Sequence, residues 1–199
     1  MSERACGECS LCCEVLRVDD LRKLGGIACI HQRAEGGCGI HAERPGICRA
    51  YRCLWLRGGL EERDRPDRLG AVLDVVGGAG EAWLEIREAR PGAFERSPRL
   101  REIAEEQRQS MPVRVSDAAG VLDPERRFRV LLPGGEERIV EGEWTTCLRP
   151  GEPEERLRLP LLERWLRRLR LTWQRRRLAH YRGAPAGPGS DRLAEDRLS

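Results

Sequence analysis

Four cysteines crowd into the run Cys6-Gly-Glu-Cys9-Ser-Leu-Cys12-Cys13, and Cys29, Cys38, Cys48 and Cys53 follow, leaving only Cys147 apart. Thiolates are soft ligands for zinc and iron, and a chain without a secretory leader has little use for disulfides, so metal ligation is the expected chemistry. Charged residues and cysteines, not an apolar leader, follow Met1, and no stretch reaches the ~18 apolar residues that mark a membrane helix. The protein is therefore expected in the cytoplasm, where thiols stay reduced.

Spacing narrows the choice of metal. Cys6, Cys9 and Cys12 recur every third residue, which lets a loop wrap its thiolates around one centre, as in ferredoxin-type runs that take a further ligand from elsewhere. Structural zinc more often joins two Cys-x-x-Cys knuckles; Cys6 with Cys9, or Cys9 with Cys12, would make one, and Cys48 with Cys53 a looser second. The spacing favours an iron-sulfur cluster and leaves zinc open. Neighbours in an extended segment point opposite ways, so Cys12 and Cys13 are expected to serve different centres or to bridge two. Eight cysteines suffice for two four-thiolate sites.

His31 and His41 are candidate additional ligands, although each taken alone reads first as an ordinary surface or hydrogen-bonding residue. Arg44, Arg49 and Arg52 stand where they can offset thiolate charge by donating to sulfur or to nearby backbone. Cys147, in Trp-Thr-Thr-Cys-Leu, reads as a small buried hydrophobe and not as a ligand.

Four segments have to position these residues. Residues 1–58 form a cysteine-rich metal-binding domain with few large apolar side chains, a unit for which bound metal would supply what the core lacks. One short helix is expected in it, capped by Asp19 or Asp20, with Leu21 and Leu24 on one face and Gly25-Gly26 as its stop. Residues 59–153 read as an antiparallel α+β region. One hairpin joins 71–76 to 82–86 around Gly77-Gly78-Ala79-Gly80, and another joins 128–132 to Ile139-Val140 around Pro133-Gly134-Gly135. A short strand at 113–115 and one helix opened by Ser97-Pro98, with Leu100, Ile103 and Ala104 inward, complete it. The first glycine run is followed by a strand and not by a long helix, which argues against a phosphate or S-adenosylmethionine loop.

Residues 154–182 form a basic amphipathic helix from Pro160, with Leu162, Leu166, Leu169 and Trp173 near one line, and 183–199 a disordered tail. The expected fold is thus α+β: a small metal domain, an antiparallel sheet with one helix, and a long basic C-terminal helix. The net charge of +3 conceals that residues 154–182 alone carry ten basic and three acidic side chains. Such a helix suits a protein partner, an anionic membrane surface or nucleic acid, against the plainer reading in which Leu and Trp pack inward and the arginines are solvated.

The run Cys6-x-x-Cys9-x-x-Cys12-Cys13 followed by Cys38-Gly-Ile-His41-Ala-Glu-Arg44-Pro45-Gly-Ile-Cys48-Arg49-Ala-Tyr51-Arg-Cys53 resembles the two halves of the YkgJ-type cysteine cluster family, described as a zinc- or iron-chelating CxxCxxCC domain. Cys29 with His31 falls at a ligand-rich place between those halves, Trp55 and Arg65-Pro66-Asp67 resemble a continuation, and His41 stands where Tyr is common. The resemblance implies metal binding through the eight cysteines. A related arrangement occurs in flagellin lysine methylases, from which no catalytic residue carries over.

The expected function is a metal-binding protein in a non-catalytic or accessory role, its cluster holding the fold or carrying electrons. The alternatives are a metalloenzyme or component of a methylase-like or redox system, and a metal- or redox-sensitive adaptor docking by its basic helix. A surplus of ligands points to closed centres, whereas catalytic sites keep a position open for water or substrate, so an enzyme is the less favoured reading.

Overall fold

The computed structural model describes residues 4–78, 81–118 and 126–182; the expected tail and the tip of the first hairpin lie outside them. The first hairpin pairs β1 (Ala71–Gly78) with β2 (Glu81–Glu88), antiparallel, Leu73 opposite Ile86. The chain then crosses through α4 (Ala93–Arg96) and α5 (Pro98–Arg108) to β3 (Val113–Asp117), parallel to β2. Three short helices precede these and are placed below. Ser97 caps α5 by accepting the Leu100 amide at 3.2 Å, with Pro98 in the first turn.

β4 (Arg127–Leu131) and β5 (Glu137–Glu141) form the second expected hairpin, and β6 (Trp144–Leu148) and β7 (Glu155–Arg158) extend the sheet to seven strands in chain order. The sheet is thus larger than two hairpins and a strand; it is mostly and not wholly antiparallel, since the helical crossover brings β3 in parallel to β2, and β7 takes residues 155–158 from the segment expected to be helical. β7, Glu-Arg-Leu-Arg, is exposed throughout, so as an edge strand it carries no apolar alternation to reveal it.

The main core lies between one sheet face and α5: Leu100, Ile103 and Ala104 meet Leu73, Leu84, Ile86, Val113, Val115 and Leu131, with Phe94 of α4 at the margin. A strand covered on one face buries alternate residues, yet Ala71, Val72 and Leu73 are all buried. Val72 belongs to a second cluster with Val15 and Ala118, against which Leu11, Leu16, Tyr51 and Cys53 pack. The cysteine-rich segment therefore sits on the face of β1 opposite α5. The Leu54 amide donates to Leu73 O at 2.9 Å, and a Cβ on Gly25 would lie 2.7 Å from Ala118 O and 2.8 Å from Val15 O, so only glycine allows this close approach.

Within that segment the helices are α1 (Leu11–Val15), α2 (Gly46–Ala50) and, leading into β1, α3 (Pro66–Leu69). The helix expected at 19–24 is a single 3₁₀ turn, Asp19–Leu21, closed by Arg22 at φ 45°. Leu24 does not continue it, because its burial comes from α6 (Leu161–Leu178), whose Leu178 packs on Leu24 beside Tyr181. The chain after α6 adds a parallel bridge, Lys23 to Arg182, with Leu24 N donating to Arg182 O at 3.1 Å. Near the other end of α6, Arg164 and Arg168 reach Glu143 at 2.5 and 3.1 Å. Between these ends the apolar line is not packed inward: Leu162, Trp165, Leu166, Leu169 and Trp173 are exposed. No helix among the described residues is long and apolar enough to cross a membrane.

Candidate metal centre

The cysteines are delivered by three short stretches that meet on the outer side of β1. Cys6 and Cys9 lie on a turn in which Cys9 N donates to Cys6 O at 3.0 Å, and α1 carries Cys12 and Cys13. The Cys29 amide donates to Cys13 O at 3.1 Å, and an antiparallel bridge between Gln32 and Cys38 folds the 29–38 loop back on itself. Gln32 ties this loop to α1 through Ser10 Oγ at 2.9 Å and Glu14 Oε1 at 2.8 Å. Gly36, at φ 94°, lets it lie on the first turn, for a Cβ there would be 2.5 Å from Glu8 O. α2 presents Cys48, and Tyr51 and Cys53 follow it toward β1.

All eight cysteines line one cavity of about 540 Å³, together with His31, His41, Arg44, Arg49 and Arg52. Every one of the nine cysteines is a free thiol. Among the described residues no three His, Cys, Asp or Glu side chains form a group that could hold a metal ion as they stand, so the donors share walls without converging on a point. Cys147 is buried in β6, away from the cavity, as expected. His31 is half-buried and His41 exposed, while Arg44 donates to His41 O at 2.9 Å and Arg52 to Leu56 O at 3.5 Å.

Cys12 and Cys13 differ from their expected geometry. The segment is helical, and their thiols share a hydrogen bond, so the argument that neighbours face opposite ways does not apply to them. That bond, against the burial of the site and with help from the Lys23 ammonium, brings Cys13 down to about 7; the same bond and burial push Cys12 up. Burial raises Cys9, offset in part by amide donors from Leu11 and Asp67 to its sulfur. Burial likewise raises Cys53, whose sulfur accepts from the Leu56 and Trp55 amides, and Cys48. Asp67 follows Pro66 at the start of α3 and is ion-paired to Arg65 at 2.7 Å, while Trp55 is buried under Arg4, whose guanidinium stands 5.1 Å from its ring.

Two buried groups carry no signature in the motif. Lys23, 1 % exposed, directs Nζ to the carbonyls of Glu14, Leu16 and Leu24 at 3.2, 2.6 and 3.0 Å, and among the described residues no carboxylate pairs with it. Burial lowers its pKa, opposed by the charge of Cys29, Cys13 and Cys12. Tyr51 lines the cavity with a buried hydroxyl that has no hydrogen-bond partner among the described residues, and burial raises its pKa. The available signal for Lys23 was its uniqueness: in a chain whose other cations are all arginine, a compact ammonium fits three converging carbonyls where a planar guanidinium does not.

No family model, curated protein or solved structure matches the chain.

Proposed function

We propose that this protein binds metal through Cys6, Cys9, Cys12, Cys13, Cys29, Cys38, Cys48 and Cys53, as zinc or iron-sulfur centres, and that its role is accessory, the centres bracing the fold or carrying electrons. The proposal joins the YkgJ-type motif to a single observation, the lining of one cavity by all eight thiols, near a buried cation that among the described residues has no carboxylate partner. In donor type and charge the set suits such a group, although the sulfurs would have to close on the metal from where they stand. Two four-thiolate zinc or [4Fe–4S]²⁺ centres carry a formal charge of about −4 in total, and Lys23 with the lining arginines 44, 49 and 52 supplies opposing charge. Amide donors already reach the Cys9 and Cys53 sulfurs, which stabilises thiolate, and the Tyr51 hydroxyl, without a partner among the described residues, is available to donate to a ligand sulfur.

Bound metal would supply cross-links between segments that share little core, or in the iron-sulfur case one-electron chemistry. The chain's residues do the rest: α1 and the 29–38 loop orient the sulfurs, Lys23 holds positive charge next to them, and β1 provides a rigid floor. His31 and His41 are candidate further ligands or donors to sulfur. Between the metals, the three-residue recurrence of Cys6, Cys9 and Cys12 favours iron-sulfur. An enzyme would need an open coordination position, and ten donors are more than two four-coordinate centres use. Anaerobic purification with visible absorption, elemental analysis and acid-labile sulfide tests the proposal: a brown protein with sulfide, or a colourless one with about two zinc atoms, supports it, and a metal-free folded protein overturns it.

A further inference from the structure

α6 is held at both ends and open between them. Glu143 engages its first turns through Arg164 and Arg168, while Leu178, Tyr181 and Arg182 fasten its far end to residues 22–24. The side turned to the body carries Arg164, Arg167, Leu171, Gln174 and Leu178, all half-buried or buried. The opposite side carries Leu161, Leu162, Trp165, Leu166, Leu169 and Trp173, with exposures from 43 to 77 %. At 100° per residue these six span about 140° of arc; exposed Thr172 and Arg176 fall within it at the C-terminal end, where the long Arg176 side chain can extend to a headgroup while its stem stays on the apolar side. Arg168 and Arg175 border the arc on one side and Arg170 and Arg177 on the other, with the Arg177 guanidinium 5.3 Å from the Trp173 ring centroid.

We propose that this outward face seats the protein on an anionic lipid surface, with α6 lying in the interfacial plane. A wide leucine arc carrying two tryptophans and bordered by arginine on both sides is what that boundary rewards, for the apolar side enters the acyl region while guanidinium groups stay among the headgroups. A second copy of the chain fits poorly, because apposed arcs would bring the two arginine borders together. Nucleic acid would neutralise the arginines and leave six large apolar side chains in water. The inference is independent of which metal, if any, the cysteines hold.

The test is cosedimentation of the 199-residue chain with vesicles of equal parts phosphatidylcholine and phosphatidylserine and, separately, of phosphatidylcholine alone. Binding to the anionic vesicles at low salt, weakened at about 0.5 M salt, is expected. Arg170→Gln with Arg177→Gln should weaken it about twenty-five-fold, at about fivefold per arginine near the surface. Leu162→Gln with Leu166→Gln and Leu169→Gln should weaken it at least tenfold per leucine, with the circular-dichroism melt unchanged because all three are exposed. In the unaltered protein, brominated acyl chains should quench a fluorescence component that disappears in Trp165→Phe with Trp173→Phe. No binding at low salt, equal binding to neutral vesicles, or retention by the leucine variant overturns the proposal. So does dimerisation abolished by the leucine variant without vesicle binding, or tighter binding of duplex DNA that the leucine variant keeps.

Discussion

Replacing Lys23 by methionine, close in shape and without charge, separates the role of the buried ammonium in the fold from its role beside the metal. In the metal-free protein Lys23→Met removes three hydrogen bonds to the carbonyls of Glu14, Leu16 and Leu24 but also removes the cost of burying a cation. The net loss of stability is then about 1–3 kcal/mol. In the loaded protein the neighbouring centre is negatively charged, and two unit charges about 6 Å apart interact by about 3 kcal/mol at an effective dielectric of about 20. Screening and relaxation reduce this, so metal affinity is expected to fall about 10–100-fold, the usual effect of deleting a group that supports ligands from behind. Guanidinium unfolding of chelator-treated and loaded protein, with chelator competition for affinity, reads the two effects separately. If Lys23→Met lowers both stabilities equally and leaves affinity within about twofold, the electrostatic role assigned to Lys23 is wrong.

Gly36→Ala places a Cβ 2.5 Å from Glu8 O at φ 94°, which should cost about 2–4 kcal/mol in the loaded protein and lift the Cys38 loop off the Cys6–Cys9 turn. The check is metal stoichiometry, expected to fall in part and not wholly. Leu100→Ala, in the core on the opposite face of β1, should lower unfolding stability by about 2–5 kcal/mol while metal content per folded molecule stays unchanged. Asp64, 1 % exposed, accepts both 2.9 Å bonds of the Arg99 fork, which holds its carboxyl below the usual range. With the folded pKa below the unfolded value of about 3.9, this pair stabilises the fold above that pH and the benefit is lost as pH falls through the folded pKa. Asp64→Asn should therefore cost about 2–3 kcal/mol near neutrality and flatten the acid limb of a stability-against-pH curve measured by urea unfolding. An acid limb identical to that of the unaltered protein would remove Asp64 from the explanation.

Elements whose local chemistry is self-sufficient were legible in the sequence. The Ser97-Pro98 start of α5, both hairpins, β3 and the start of α6 after Pro160 followed from caps, glycine turns and periodicity. β7 was not, because an exposed edge strand buries nothing and leaves no alternation to read. The apolar stripe of α6 was visible, but periodicity reports that a face exists and not what it meets, and here it meets solvent. Around the cysteines, all eight members of the motif line one cavity, but the helical state of Cys12 and Cys13 was not legible, since α1 is a five-residue turn fixed by packing on Val72 and not by its own pattern. Lys23 and Tyr51 were not legible because their meaning depends on burial: among the described residues Lys23 meets carbonyls but no carboxylate, and the Tyr51 hydroxyl meets no hydrogen-bond partner.

The most direct test is metal and sulfide analysis of protein purified without oxygen, set beside the same measurement on a variant with Cys6, Cys9, Cys12 and Cys13 replaced by serine. The expected result is stoichiometric metal, about two zinc atoms or iron with acid-labile sulfide, abolished or halved in the variant. A folded protein that carries no metal and titrates all eight cavity thiols as free would contradict the metal-binding role at its root.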